Sequence, residues 1–414
     1  MRRFTMFVAS LVAGVLIATV MPAMASAVTV PKPLFGQHVA QIRKVAPRTL
    51  TRLGAVRLWD SGVAWRQIEI ADNRYQWGAL DRAVFNARKA GATEVLYVLG
   101  STPVWAASNP RSKGALYGRG SNTHPRTNKL YTDYLTALVK RYGNRITSYQ
   151  VWNEANLHEF YLGTPTQLAR LTKEAKATLT RLKSRARLVA ASTTVRAKGP
   201  VGKFGKAYGP AMRKVGWPVD VVSAHFYPPS TEGPATRVAY IKVIRKYYKK
   251  YGAGSKPLWD TEMSYGDTRK FMKTKKKSYT GATAATYVAR TYIDSMRYGV
   301  SRVFWYGWDI HMLGTDMTTR DRRGAVTAGG RAYLATYDWM VGKSWLGCST
   351  KSKVTTCTLR ASNGKLSRIM WTSKKSATIK VPAGSVRQGY LNRAVRPVKP
   401  GQKVAITSQP VLFR

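Results

Sequence analysis

Between about Pro33 and Gly342, short apolar runs alternate with amphipathic stretches of helical spacing, the pattern of repeated β–α units. Eight of these runs read as strands: Leu34–His38, Ala55–Trp59, Glu94–Leu99, Ser148–Trp152, Arg187–Ser192, Val219–His225, Pro257–Thr261 and Arg302–Tyr306. Eight parallel strands are what a (β/α)8 TIM barrel needs to close, so the expected fold class is α/β with that architecture. The helices between them carry their own signals. Leu80, Ala83, Val84 and Ala87 keep helical spacing and Gly91 supplies a stop. Thr164-Pro165 reads as an N-cap and first helical position ahead of Leu168, Leu171, Ala175, Leu179 and Leu182. Val288, Tyr292 and Met296 repeat the spacing before Gly299.

The character changes after Gly342. Cys357–Leu359, Ser367–Trp371, Ala377–Val381 and Val404–Thr407 read as short strands between Asn-Gly, Pro-Ala-Gly and Lys-Pro-Gly turn signals. The barrel is therefore assigned to 33–342, and 343–414 to a small all-β domain beside it. At the other end, Arg2 and Arg3 precede an uncharged apolar run from Phe7 to Val20. Ala23-Met24-Ala25 and Ala25-Ser26-Ala27 follow, so 1–27 reads as a secretory signal peptide cleaved after Ala25 or Ala27. The expected location is secreted, outside the cell, with no membrane span. The two cysteines, Cys348 and Cys357, form a disulfide in that oxidising setting, plausible across a hairpin. The five histidines are scattered and none pairs with cysteine at metal-ligand spacing, so neither a metal nor a cofactor is expected.

Charge narrows the partners. Lys and Arg number 69 against 19 Asp and Glu, a net charge of +50, and such a field attracts polyanions such as acidic polysaccharide or an anionic cell-wall polymer. It serves adhesion or solubility equally well. No motif for specific nucleic-acid binding accompanies it. Arg196 to Lys214 and Arg269 to Lys277 hold no acidic residue and follow the fifth and seventh strands, on the face where barrel active sites sit. The stretch Arg237–Lys250 is as basic and belongs to the outer layer. The 12 Trp and 23 Tyr supply flat rings of the kind that line sugar clefts, or simply a large core.

Two strand ends carry the chemistry. The fourth strand runs into Trp152-Asn153-Glu154-Ala155-Asn156, and the seventh into Trp259-Asp260-Thr261-Glu262-Met263. The chain has only seven Glu, and two of them fall where strand ends face one another across a barrel mouth. Carboxyl groups on opposite sides of a mouth can flank a glycosidic bond, one attacking the anomeric carbon while the other protonates the departing oxygen. Glu159 is a rival for the acid but lies beyond the strand end. Asp260 alternates to the other side of its strand from Thr261.

Trp152-Asn153-Glu154-Ala155-Asn156 resembles the acid/base signature of clan A glycoside hydrolases. The segment from Val56-Arg57-Leu58-Trp59-Asp60 through Trp77 to Thr102-Pro103-Val104-Trp105 is similar to glycoside hydrolase family 39 and its relatives, and the likeness runs from about Phe35 to Gly342. Met263 departs from the family, which often has Trp after the nucleophile. The resemblance implies a glycosidase that hydrolyses a polysaccharide with retention, Glu154 being acid/base and Glu262 nucleophile. It also implies that Asn153 bonds the sugar 2-hydroxyl, and that Arg57 and Tyr227 hold Glu262. His38 and His225 would line the innermost subsite, Trp305 would stack on the sugar, and Trp105 would be a further contact. His38 and His225 read as well as core histidines, and Trp308 has a claim equal to that of Trp305. The competing class is a non-catalytic carbohydrate- or wall-binding protein on the same barrel, which has no need of both carboxylates.

Overall fold

All eight apolar runs become strands, mostly trimmed at their ends, where the chain leaves the hydrogen-bonded ladder to turn. The computed structural model describes residues 28–414 apart from 48, 115–116, 198, 200–201, 271–272 and 322–323, so the expected signal peptide lies outside the described residues. Phe35–Gln37, Ala55–Leu58, Glu94–Val98, Ser148–Gln150, Arg187–Val189, Val222–His225, Leu258–Met263 and Val300–Trp305 form one parallel sheet. Each strand lies beside its successor, and the eighth returns to the first through Val303↔Phe35 and Trp305↔Gln37. The fifth and sixth meet at Val189↔Val221, where the Ala190 N–H donates to the Val221 carbonyl at 2.9 Å. The ring is thereby closed as a (β/α)8 barrel.

Alternation along the strands sorts the core into two parts. Ala55, Leu96, Val189, Val221, Trp259 and Phe304 turn inward as an apolar plug. Val56, Leu58, Val95, Tyr97, Leu188 and Val303 turn outward into the large cluster shared with the helices. Beyond the plug the interior becomes polar. Buried Gln150 donates to Ser223 Oγ at 2.9 Å and Thr261 Oγ1 at 3.1 Å, and its Oε1 accepts from Arg57 Nε at 2.9 Å. One amide thus ties strands two, four, six and seven together beneath the mouth.

The helices start and stop where the residues say they should. Thr164 Oγ1 accepts from the Gln167 N–H at 3.2 Å while Gln167 Oε1 accepts from the Thr164 N–H at 2.8 Å, a reciprocal cap ahead of Pro165–Arg181. Gly91 and Gly299 follow Gly78–Lys89 and Gly281–Arg297 with φ of 96° and 73°, conformations that side chains beyond glycine disfavour.

The four strands expected near the C-terminus occur as Val354–Arg360, Leu366–Thr372, Ala377–Lys380 and Lys403–Ile406. Further strands join them, including Ser344–Lys351, and Val28–Thr29 pairs antiparallel with Ser344 and Trp345, so this sheet recruits chain from ahead of the barrel. Cys357, Leu359, Ile369, Trp371 and Leu412 merge with the outer barrel cluster, making one continuous core. Cys348 and Cys357 face each other across the hairpin and are disulfide-bonded, with Cα atoms 4.0 Å apart. Among the described residues no helix is long and apolar enough to cross a membrane.

Candidate active site

Glu154 and Glu262 reach the barrel mouth by different local devices. After the fourth strand the backbone at Glu154 enters the left-handed region with φ of 39°, a strained choice for a residue with a side chain. Ser192 stabilises it: its Oγ accepts from the Glu154 N–H at 3.0 Å and its carbonyl from the Ala155 N–H at 2.9 Å. On the seventh strand, Asp260 and Glu262 are two residues apart and would share a face in a regular strand. The register shifts between them against both neighbouring strands. Asp260 therefore points outward to Arg237, at 2.7 Å, while Glu262 enters the mouth.

His225, at the end of the sixth strand, joins the two carboxyl groups. Its Nδ1 lies 3.0 Å from Glu154 Oε1 and 2.8 Å from Glu262 Oε2. Arg57 Nη1 sits 3.7 Å from Glu262 Oε2, and its Nη2 donates to Asn153 Oδ1 at 2.7 Å. That bond leaves the Asn153 amide group, a donor, free to face the cleft. Burial would raise the pKa of Glu262, but His225, then Arg57 and His38, reverse this and bring it down to about 2. The two carboxylates overcome burial at His225 and raise its pKa, with Glu262 the larger influence. Burial and Arg57 bring His38 down to about 3, so it is neutral and its Nε2 donates to the Thr261 carbonyl at 3.2 Å.

Glu154 and Glu262 open onto a cleft of about 680 Å³. One wall is aromatic: Trp59 and Tyr117 lie 5.1 Å apart, and Tyr117 and Phe160 5.7 Å. The other holds Tyr227 and Tyr306 with Ile310 and Leu313. Asp60 sits between, with φ of 58°, accepting from the Tyr117 hydroxyl at 2.5 Å and the Tyr306 hydroxyl at 2.8 Å. Burial and the nearby charge of Glu262 push Asp60 up to about 6. All cleft-lining residues belong to the barrel; the C-terminal sheet supplies none.

No protein-family model and no curated protein matches the sequence. Solved structures do match the fold. A family 39 glycoside hydrolase from Bacteroides cellulosilyticus superposes with a TM-score of 0.67 at 19% identity, over 92% of this chain and 80% of that one. A glucosidase from Croceicoccus marinus gives 0.68 at 12% identity, over 93% and 96%. The family 39 enzyme from Xanthomonas axonopodis pv. citri gives 0.66 at 15%, over 94% and 95%. The chain has the fold of a glycoside hydrolase.

Within that fold the expected residues divide into three groups. Glu154, Glu262, Asn153 and Tyr227 line the cleft. Arg57 and His225 are fully buried beneath it and act on the residues above, so His225 holds the two carboxyl groups rather than lining a subsite. His38, Trp305 and Trp105 do not line the cleft. His38 and Trp305 are 0% exposed, the latter packed 6.0 Å from Tyr265 because it is still paired within the eighth strand. Trp308 is packed on Tyr333 and is no substitute. The residue after the strand, Tyr306, is the one that turns into the cleft. Half-buried Trp105 donates to the Glu69 carbonyl at 3.1 Å, in the packing outside the mouth. Tyr227 makes no hydrogen bond to Glu262, whose carboxylate is taken by His225 instead. Glu159 is exposed and outside the cleft.

The residues missed in the sequence are Asp60, Tyr117, Phe160 and Tyr306. A signal existed for two of them: Asp60 directly follows one predicted strand and Tyr306 is the last residue of another, at the ends from which barrels build their sites. Among the described residues, Glu154, His225 and Glu262 are also the set whose donor atoms, within 4.8 Å of one another, could share a cation.

Proposed function

We propose that the protein is an exported retaining glycoside hydrolase in which Glu262 is the nucleophile and Glu154 the acid/base. One observation carries the reading: two carboxyl groups from strand ends four and seven share a cleft, with nearest oxygens within 4.8 Å. Retaining enzymes hold this pair about 5–5.5 Å apart, whereas inverting enzymes need roughly 6.5–9.5 Å to admit a water. The asymmetry of surroundings divides the roles. His225 and Arg57 hold Glu262 ionised, as a nucleophile must be.

Chemically, Glu262 attacks the anomeric carbon and the C–O bond to the leaving group breaks as Glu154 delivers its proton to that oxygen. The product is a glycosyl ester on Glu262, whose charge is then gone. Glu154, now a carboxylate, takes a proton from water, which attacks the same carbon and restores Glu262. Asn153, oriented by Arg57, is placed to donate to the sugar 2-hydroxyl oxygen as positive charge grows on the ring. The aromatic wall of Trp59, Tyr117 and Phe160 offers stacking faces to neighbouring sugars.

The test is a screen of the protein on defined neutral and acidic polysaccharides and aryl glycosides, with the anomer of the first-formed product followed by NMR. Retained configuration is the expected result. Inverted product would overturn the mechanism, and binding of glycans without any hydrolysis would favour the carbohydrate-binding reading.

A further inference from the structure

The three acids of the cleft are each engaged by the protein's own groups. Glu262 faces His225 and Arg57, Glu154 faces His225, and Asp60 takes two tyrosine hydroxyls. Two of the cleft's arginines have no such counterpart. Arg66, on the short helix Trp65–Ile68 after the second strand, lines the cleft with its Nη1 buried and without a hydrogen-bond partner. Its guanidinium packs against Gly118, where a Cβ would come within 3.0 Å of Nη1. Arg196, in the turn Val195–Ala197 after the fifth strand, lies over the Tyr227 ring at 5.3 Å and also lines the cleft. No carboxylate of the described residues is within ion-pair distance of either arginine.

A guanidinium stripped of water without a counter-ion is costly, and a neutral sugar filling this cleft would strip both. An anionic group on the ligand supplies the missing partner, and the forked donors of arginine suit a carboxylate or a sulfate. Resting on the glycosidase reading, we propose that the cleft selects an acidic glycan, Arg66 and Arg196 taking carboxylate or sulfate groups on sugars flanking the cleaved bond. The two arginines rise from strands two and five, on different sides of the mouth. The anionic groups therefore recur along the chain rather than mark one end.

The protein's overall charge would hold any long polyanion, so the test uses short ligands and a surface control. The full chain is titrated calorimetrically with a uronic-acid oligosaccharide, its carboxyl-reduced neutral counterpart and a sulfated neutral oligosaccharide of equal length. Arg66→Gln, Arg196→Gln and, as control, Lys246→Gln on the exposed outer helix are compared with the parent. The expected result is binding of an acidic ligand that falls about tenfold or more in each arginine variant and is unchanged in Lys246→Gln. The two acidic arms tell carboxylate from sulfate. Equal binding of the neutral ligand, or an equal loss in Lys246→Gln, would overturn the proposal. Hydrolysis of simple aryl glycosides is measured alongside. Cleavage there without acidic-ligand preference sinks only this inference, and preference without any cleavage sinks only the glycosidase reading.

Discussion

Arg57 touches Gln150, Asn153 and the approach to Glu262 from one fully buried guanidinium. Arg57→Gln is therefore expected to lower kcat/KM by about 10²–10³-fold and stability by about 3 kcal/mol, read by kinetics and denaturant unfolding. Arg57→Lys should recover little, because an ammonium cannot reproduce the fork. The carboxylates should fail differently. Under the proposed double displacement, Glu262→Ala is expected to fall to background on every substrate, since no other group would form the glycosyl ester. Glu154→Ala should lose about 10²–10⁴-fold on poor leaving groups, and far less in the first step with activated aryl glycosides. Azide should then trap a glycosyl azide of retained configuration from Glu154→Ala; retained azide from Glu262→Ala would reverse the roles. The pH dependence of stability has two edges here. Glu262, depressed to about 2, stabilises fully above its ordinary 4.5 and loses this as pH falls toward 2. His225, raised, stabilises fully below its ordinary 6.5 and loses this as pH rises through its folded value. Thermal unfolding from pH 2 to 9 should thus show the site contributing most between about 4.5 and 6.5, an optimum that flattens in His225→Gln.

The strands were readable because each is an apolar or β-branched run bounded by turn residues, and the helices because periodicity and caps agree. Ends were not readable to the residue, and ends are where the site lies. Trp305 and Tyr306 differ by one position, yet one is barrel core and the other is cleft wall. The Asp260–Glu262 register shift is equally invisible in a string of letters, since it arises from pairing with strands six and eight at once. The Cys348–Cys357 hairpin is the simpler case, because proximity along the chain makes the partner obvious. Replacing both cysteines by serine is expected to cost about 2–3 kcal/mol in chemical unfolding, the closure entropy of so short a loop. The cleft lies wholly in the barrel, so turnover should persist at temperatures where the variant remains folded.

At the scale of the molecule, a net charge of +50 makes self-repulsion a standing cost of folding. Raising ionic strength from about 0.01 to 0.15 M shortens the screening length from about 30 Å to 8 Å. Tm is expected to rise by roughly 2–5 °C over that range. A fall would mean that local ion pairs such as Arg141–Asp81 outweigh the general field. The N-terminal strand Val28–Thr29, bound into the C-terminal sheet, ties the two ends of the described chain together. Its removal should loosen that sheet before it disturbs the cleft, which hydrogen exchange would show.

Local sequence alone determined the barrel, the two glutamates and the disulfide, because periodicity, a strand end and a short cysteine interval are properties of neighbouring residues. Tertiary structure decided which side of a strand end faces the cleft, since that depends on register and on which ring the core has already claimed. It decided that His225 bridges the carboxylates, because three strands must converge to bring Nδ1 within 3.0 Å of both. It also decided that Asp60 lies between two tyrosines from the third and eighth loops. Contacts between residues tens to hundreds of positions apart carry no local signature, and the cleft is made almost entirely of such contacts.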